Sequence, residues 1–232
     1  MNRLRWLEMD LPFSLRTLAN RLKSFPFTSE TIEGFLVDRV RDTHIEARHV
    51  EKVFITDTIA DPLGDQQVYQ RTEYRQTTFR VATGYPELEL TDSPRGIQAF
   101  TSRMAEICDF KVSIAGLEID VLLWAEKLMK IFPEQFAMIG AQASGIALEE
   151  GVTARIVLAG TVDVRQALTR MTRGQHEGTD KVQLRFGRAG SSTKVVLGSD
   201  GTSKILTETT EDLKNALRQS LASMRKPSRR KQ

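Results

Sequence analysis

"LANRLKSFPF" at residues 18–27 is echoed by "WAEKLMKIFP" at residues 124–133, and this echo decides how the rest of the chain is read. In the first stretch Leu11, Leu15, Leu18, Ala19, Leu22 and Phe25 fall on one 3.6-residue stripe, the mark of a core-facing helix. In the second, Val121, Trp124, Ala125, Leu128 and Ile131 repeat Leu15, Leu18, Ala19, Leu22 and Phe25 at an offset of 106 residues. Each follows a strand-like segment, "RLRWLEMDL" and "FKVSIAGLEI".

A second correspondence supports the first. "LTDSPRGIQAFTSRM" from Leu90 and "LTETTEDLKNALRQS" from Leu206 both run from Leu-Thr through an acid and a hydroxyl into a helix. Ser93 before Pro94 suits an N-cap, and Thr209 with Asp212 resembles a capping box. Ile97, Phe100, Met104 and Ile107 form one stripe, and Leu213, Ala216, Leu217 and Leu221 the other.

Between these helices the β-branched, alternating segments read as antiparallel strands. They fall near 33–42, 44–56, 68–82 and 87–91, then near 136–148, 151–160, 180–187, 193–198 and 203–207. Val164, Leu168 and Met171 suggest a short inserted helix where the first half has the loop "DTIADPLGDQQ". The expected fold is α+β: two tandem pseudo-repeats, each strand, helix, antiparallel strands, helix, forming a curved antiparallel sheet backed by helices. The repeats would span residues 1–108 and 109–224, with 225–232 a disordered basic tail. Two unrelated α+β halves are the alternative. In element order, and in nothing finer, this is similar to the duplicated saddle of TATA-binding-protein-like folds.

Composition narrows the function. A chain of 232 residues with 40% hydrophobic content buries a real core, and its single cysteine, Cys108, allows no internal disulfide. Charges at Arg3, Arg5, Glu8 and Asp10 break up any signal-peptide core, and no apolar run is long enough to span a membrane. The sequence therefore suggests a soluble, cytoplasmic protein. Its net charge is +3, but the tail "RKPSRRKQ" carries five positive charges, so residues 1–224 carry −2.

Catalytic signatures are sparse. His44 and His49 are an odd number of residues apart, hence on opposite faces of a strand, and read with His176 as surface or edge histidines. Cys108 closes an apolar helical stripe and reads as buried, not nucleophilic. No GxSxG, HExxH, CxxC or GxGxxG pattern occurs, and "GRAGSSTK" at 187–194 has the wrong spacing for a P-loop and reads as a hairpin turn. No cofactor and no metal are expected.

The basic residues are more informative. In "DKVQLRFGR" Val182, Leu184 and Phe186 alternate with Lys181, Gln183 and Arg185, which gives one apolar and one basic face. The expected function is a non-catalytic intracellular binding subunit. It would contact nucleic acid through a band of Arg165, Arg170, Arg173, Lys181, Arg185, Arg188 and Lys194 together with Arg225, Lys226, Arg229, Arg230 and Lys231 of the tail. An acidic protein surface is the other partner for such a band. One alternative is a protein-assembly subunit of a multi-protein complex, docking on its sheet face. Another is a receptor or enzyme with a pocket between sheet and helix, for which His44, His49 and Trp124 are the residues to inspect.

Overall fold

The computed structural model describes residues 2–92, 96–131, 136–172, 174, 178–187, 193–206 and 211–225. Among them are eleven strands and five helices. The first half holds β1 (Asn2–Asp10), α1 (Leu15–Ser24), β2 (Glu33–Val40), β3 (His44–Ala60), β4 (Gln66–Ala82), β5 (Leu88–Thr91) and α2 (Gln98–Ile107). The second holds β6 (Ser113–Gly116), α3 (Val121–Ile131), β7 (Phe136–Glu149), β8 (Val152–Ala159), α4 (Arg165–Met171), β9 (Thr179–Phe186), β10 (Thr193–Gly198), β11 (Thr202–Ile205) and α5 (Glu211–Ala222). The fold is α+β and antiparallel.

The chain divides into two compact units: unit 1 comprises residues 1–9, 84–89 and 114–232, and unit 2 residues 10–83 and 90–113. The N-terminal strand thus belongs with the C-terminal unit.

In unit 1 the strand order is β1-β11-β10-β9-β7-β8. Period-2 alternation gives this sheet a dry face built from Leu4 and Trp6, Ile205, Val195 and Leu197, Val182, Leu184 and Phe186, all part of one buried cluster. Helices α3 and α5 cover that face through Val121, Trp124, Ala125 and Leu128 and through Leu213, Ala216, Leu217 and Leu221. The rings of Trp6 and Trp124 meet edge to face at 5.6 Å, and the Trp124 indole donates to the Ser220 hydroxyl at 2.9 Å, so its polar edge is satisfied in the core. Trp6 donates in turn to Glu89 at 2.9 Å.

In unit 2, β2, β3 and β4 form an antiparallel meander. Helix α1 begins at Ser14, whose hydroxyl accepts from the Thr17 amide at 3.2 Å. It buries Leu15, Leu18, Ala19 and Leu22, while Phe25, expected to continue the stripe, is the C-cap and 42% exposed. Phe35, Phe79 and Phe100 pack ring against ring. Arg21 of α1 reaches the C-terminal end of α2, donating to the Ile107 carbonyl and to Asp109.

Two local expectations need correction. Helix α2 starts at Gln98 with Ile97 as an uncapped N-cap, while Ser93 and Pro94, where its start is expected, lie outside the described residues. The segment from 57 to 67 is not a loop: β3 runs to Ala60, β4 resumes at Gln66, and only residues 61–65 turn, where the Asp61 carboxylate accepts from the amides of Leu63 and Asp65. Thr58 and Ile59 carry the β-branched pattern past Asp57. The Thr209–Asp212 box, the "GRAGSSTK" turn and the tail beyond Arg225 lie at least partly outside the described residues.

Candidate nucleic-acid interface

The face of unit 1's sheet opposite its helices is basic. Strand register brings together residues far apart in sequence. Arg3 of β1 lies opposite Lys204 of β11, and Lys204 opposite Val196 of β10. Val196 faces Gln183 of β9, which faces Gly140 of β7. One step along, Lys194 lies opposite Arg185, and Arg185 opposite Ala137. On the other side Lys181 stands opposite Gln142.

Every one of these alternates with a buried core residue on its own strand, so all point away from the helices. Arg5 of β1 and Arg155 of β8 share that face by the same alternation, Arg5 between Leu4 and Trp6 and Arg155 between Ala154 and Ile156. Among the described residues, seven cations thus occupy it: Arg3, Arg5, Arg155, Lys181, Arg185, Lys194 and Lys204. Between them the surface is small or uncharged: Ala137, Gly140, Gln142, Gln183 and Val196.

Asp180 of β9 is the acid set among them. The Ser144 hydroxyl and then the Gln142 amide donate to it, and with the charges of Arg155 and Lys181 they hold its carboxyl below the usual carboxylate range. Arg185 donates to the Thr161 carbonyl at 3.1 Å, which steadies its guanidinium without neutralising it.

The structure divides the cations expected from sequence. Lys181, Arg185 and Lys194 meet on the open face. Arg165 and Arg170 stand on α4, whose Leu168 packs into the core, so they belong to the helix layer. Arg165 is further committed to Asp163, with Nη2 at 2.9 Å from its carboxylate. Burial pushes the Asp163 carboxyl up, but hydrogen bonds from the Arg165 side chain and amide and from the Met138 amide outweigh it and hold the group low.

Arg225 pairs with Glu87 at 3.2 Å and stacks over the Tyr85 ring at 5.2 Å. Arg173, Arg188, Lys226, Arg229, Arg230 and Lys231 lie outside the described residues. Sequence reasoning misses Arg3, Arg5, Arg155 and Lys204. The signal is present in each strand as cation-apolar alternation, but which strands adjoin is a matter of topology.

Of the other residues singled out from sequence, His176 lies outside the described residues. Trp124 is fully buried within unit 1. Cys108 is buried, and burial pushes its thiol up to about 11, so it is protonated and unreactive at neutral pH. His44 is half-buried beside Glu46.

His49 corrects the surface expectation, since it has no exposed surface at all. It extends the inward row of Ile45 and Ala47 and packs against Phe35 and Phe100. Glu33 at 3.6 Å and Glu51 at 3.4 Å flank its ring nitrogens, neither of which makes a hydrogen bond.

Among the described residues, no group of three or more His, Cys, Asp or Glu side chains could hold a metal ion, and no helix is long and apolar enough to cross a membrane. No model of a known protein family matches the chain, and no curated protein matches it in sequence.

Proposed function

We propose that this protein binds nucleic acid, with the open face of unit 1 resting on the phosphodiester backbone. The supporting observation is that, among the described residues, seven cations share that face, with Arg185 directly opposed to Lys194 and the acid Asp180 set among them. Like charges in cross-strand register cost stability. A polyanion would offset that cost and release counterions on binding. The described part of the face carries no aromatic side chain on which a base could stack, which favours backbone contact over base recognition. Arg173, Arg188 and the tail cations Lys226, Arg229, Arg230 and Lys231 extend the same proposal beyond the described residues, and Arg165, Arg170 and Arg225 would then act only at its margin.

The same reading takes residues 1–108 and 109–224 as copies of one module, related in element order to TATA-binding-protein-like folds. It is supported by the burial of Leu15, Leu18, Ala19 and Leu22 in α1 and of Val121, Trp124, Ala125 and Leu128 in α3, which keep the 106-residue offset.

The test is fluorescence anisotropy with duplex DNA, duplex RNA and single strands across a salt series. The triple variant Lys181→Glu, Lys194→Glu, Lys204→Glu should weaken duplex binding, and the log–log salt slope should flatten by about 0.9 for each phosphate that is no longer neutralised. Unchanged affinity and slope, or retention of an acidic protein after nuclease treatment with no binding of either duplex, would overturn the proposal.

A further inference from the structure

Asp180 is held from both sides of β9. Its backbone carbonyl accepts from the Ser199 amide, just past β10, at 2.8 Å. Its Oδ2 accepts from the Ser144 hydroxyl and, at 3.1 Å, from the Gln142 side-chain amide, both on β7. The pairing of β7 with β9 shifts register between Gln142 and Ala143, and the shift is locked by backbone. The Ser144 amide donates to the Gly178 carbonyl at 2.8 Å, and Gly178, at φ +89°, lies so close that a Cβ there would stand 2.4 Å from the Ser144 carbonyl oxygen. The carboxylate is therefore oriented before any ligand arrives.

Its other oxygen, Oδ1, takes no hydrogen bond among the described residues and is open to solvent. Nor does Asp180 form an ion pair among them, although Arg155 and Lys181 act on it through their charge. Its side-chain partners are neutral donors, so the cations stay available to phosphates and one fixed acceptor stays available to a ligand. Beside a path of phosphates alone such an anion only weakens binding, because the phosphates repel it. It strengthens binding where the ligand brings a donor. Phosphodiester oxygens are acceptors. Bases carry donors, but the described part of the face has no aromatic side chain to hold an unstacked base. The donor that a nucleic-acid backbone does carry is the ribose 2′-hydroxyl, which DNA lacks.

We propose that the open face of unit 1 selects RNA over DNA, with Asp180 Oδ1 accepting a hydrogen bond from a ribose 2′-hydroxyl while the cations beside it hold the adjoining phosphates. The inference rests on the nucleic-acid reading of that face. An RNA duplex displays its 2′-hydroxyls along a wide, shallow minor groove, where side chains on a sheet surface reach them. The same carboxylate discriminates against DNA, whose backbone meets it with acceptors and negative charge.

Fluorescence anisotropy with duplexes of one sequence tests this: RNA, DNA, and RNA with every 2′-hydroxyl replaced by fluorine, which keeps the phosphates and the A-form but removes the donor. The wild type should bind the RNA at least about tenfold more tightly than the 2′-fluoro duplex, as a hydrogen bond to a charged group provides. Asp180→Asn keeps the shape of the side chain. Ser144 and Gln142 then claim its one carbonyl oxygen, and Nδ2, a donor, stands where Oδ1 stood, so this variant should bind RNA and 2′-fluoro RNA equally. Loss of the negative charge strengthens binding of every duplex alike and leaves their ratio unchanged. Equal binding of RNA and 2′-fluoro RNA by the wild type, or an undiminished preference in Asp180→Asn, would overturn the 2′-hydroxyl contact and leave the basic-face reading standing. A wild type that binds none of the duplexes would overturn both.

Discussion

Arg185 of β9 and Lys194 of β10 stand directly opposite each other in the antiparallel ladder, with both side chains on the open face. Opposed like charges destabilise a strand pair, so Lys194→Glu should stabilise the free protein by about 0.2–1 kcal/mol through a new pair with Arg185. The same change should weaken duplex binding and flatten its salt dependence. Thermal unfolding and anisotropy would then move in opposite directions. A substitution acting only on the fold would not separate them.

Glu89 is a buried carboxylate, 4% exposed, that accepts from the Trp6 indole at 2.9 Å and from two guanidinium nitrogens of Arg218 at 2.6 and 2.7 Å. Such an arrangement holds only while both oxygens are paired. Arg218→Ala should cost about 3–5 kcal/mol, because it strands a buried charge, and the added change Glu89→Gln should recover part of that stability. Urea unfolding of the two variants measures the difference.

His49 makes unit 2 sensitive to acid. Burial disfavours its imidazolium and lowers its pKa below the ordinary 6.5. The Arg103 guanidinium adds to that effect, while Glu51 and Glu33 oppose it without reversing it. The unfolded chain therefore binds the proton more readily than the folded one, and stability rises with pH between the two pKa values. The contribution is complete above about 6.5 and declines as pH falls through the folded value. Urea unfolding from pH 8 to pH 5 should show this decline in the wild type, and His49→Phe should abolish that part of the pH dependence.

Elements are legible in the sequence wherever one face of a helix or strand is buried, since burial imposes period. Leu22 and Leu128 stand in the core where the stripes place them. The end of β3 beyond Thr56 reads as loop because Thr58, Ile59 and Ala60 are all exposed, so burial imposes no inside–outside contrast on them. His49 reads as a surface residue on chemistry alone, although Ala47 and Ile45, two and four positions earlier, share its inward row. The basic face is half legible: alternation marks Lys181 and Arg185 within one strand. Its extension to Arg3 and Lys204 depends on β1 pairing with β11, two segments about two hundred residues apart in sequence whose register no local pattern states.

Gly34 occupies a place that only glycine fits. The Phe27 amide donates to the Phe35 carbonyl at 3.0 Å and the Phe35 amide to the Phe25 carbonyl at 2.9 Å, so residues 25–27 are bound tightly along the start of β2. A Cβ at position 34 would lie 2.6 Å from the Phe27 nitrogen and 2.7 Å from the Pro26 carbonyl carbon and oxygen. Those atoms are backbone and have no rotamer by which to withdraw. Gly34→Ala should therefore lift residues 25–27 off β2, loosen both hydrogen bonds and cost about 2–4 kcal/mol, whereas an unstrained Gly→Ala change stabilises by about 0.4–1 kcal/mol. Gly84→Ala is the control, since nothing lies within 4 Å of the atom it would add. Hydrogen exchange at the Phe27 and Phe35 amides should accelerate in the first variant and stay unchanged in the second. Equal stability of the two would mean that the contact at Gly34 relaxes at no cost.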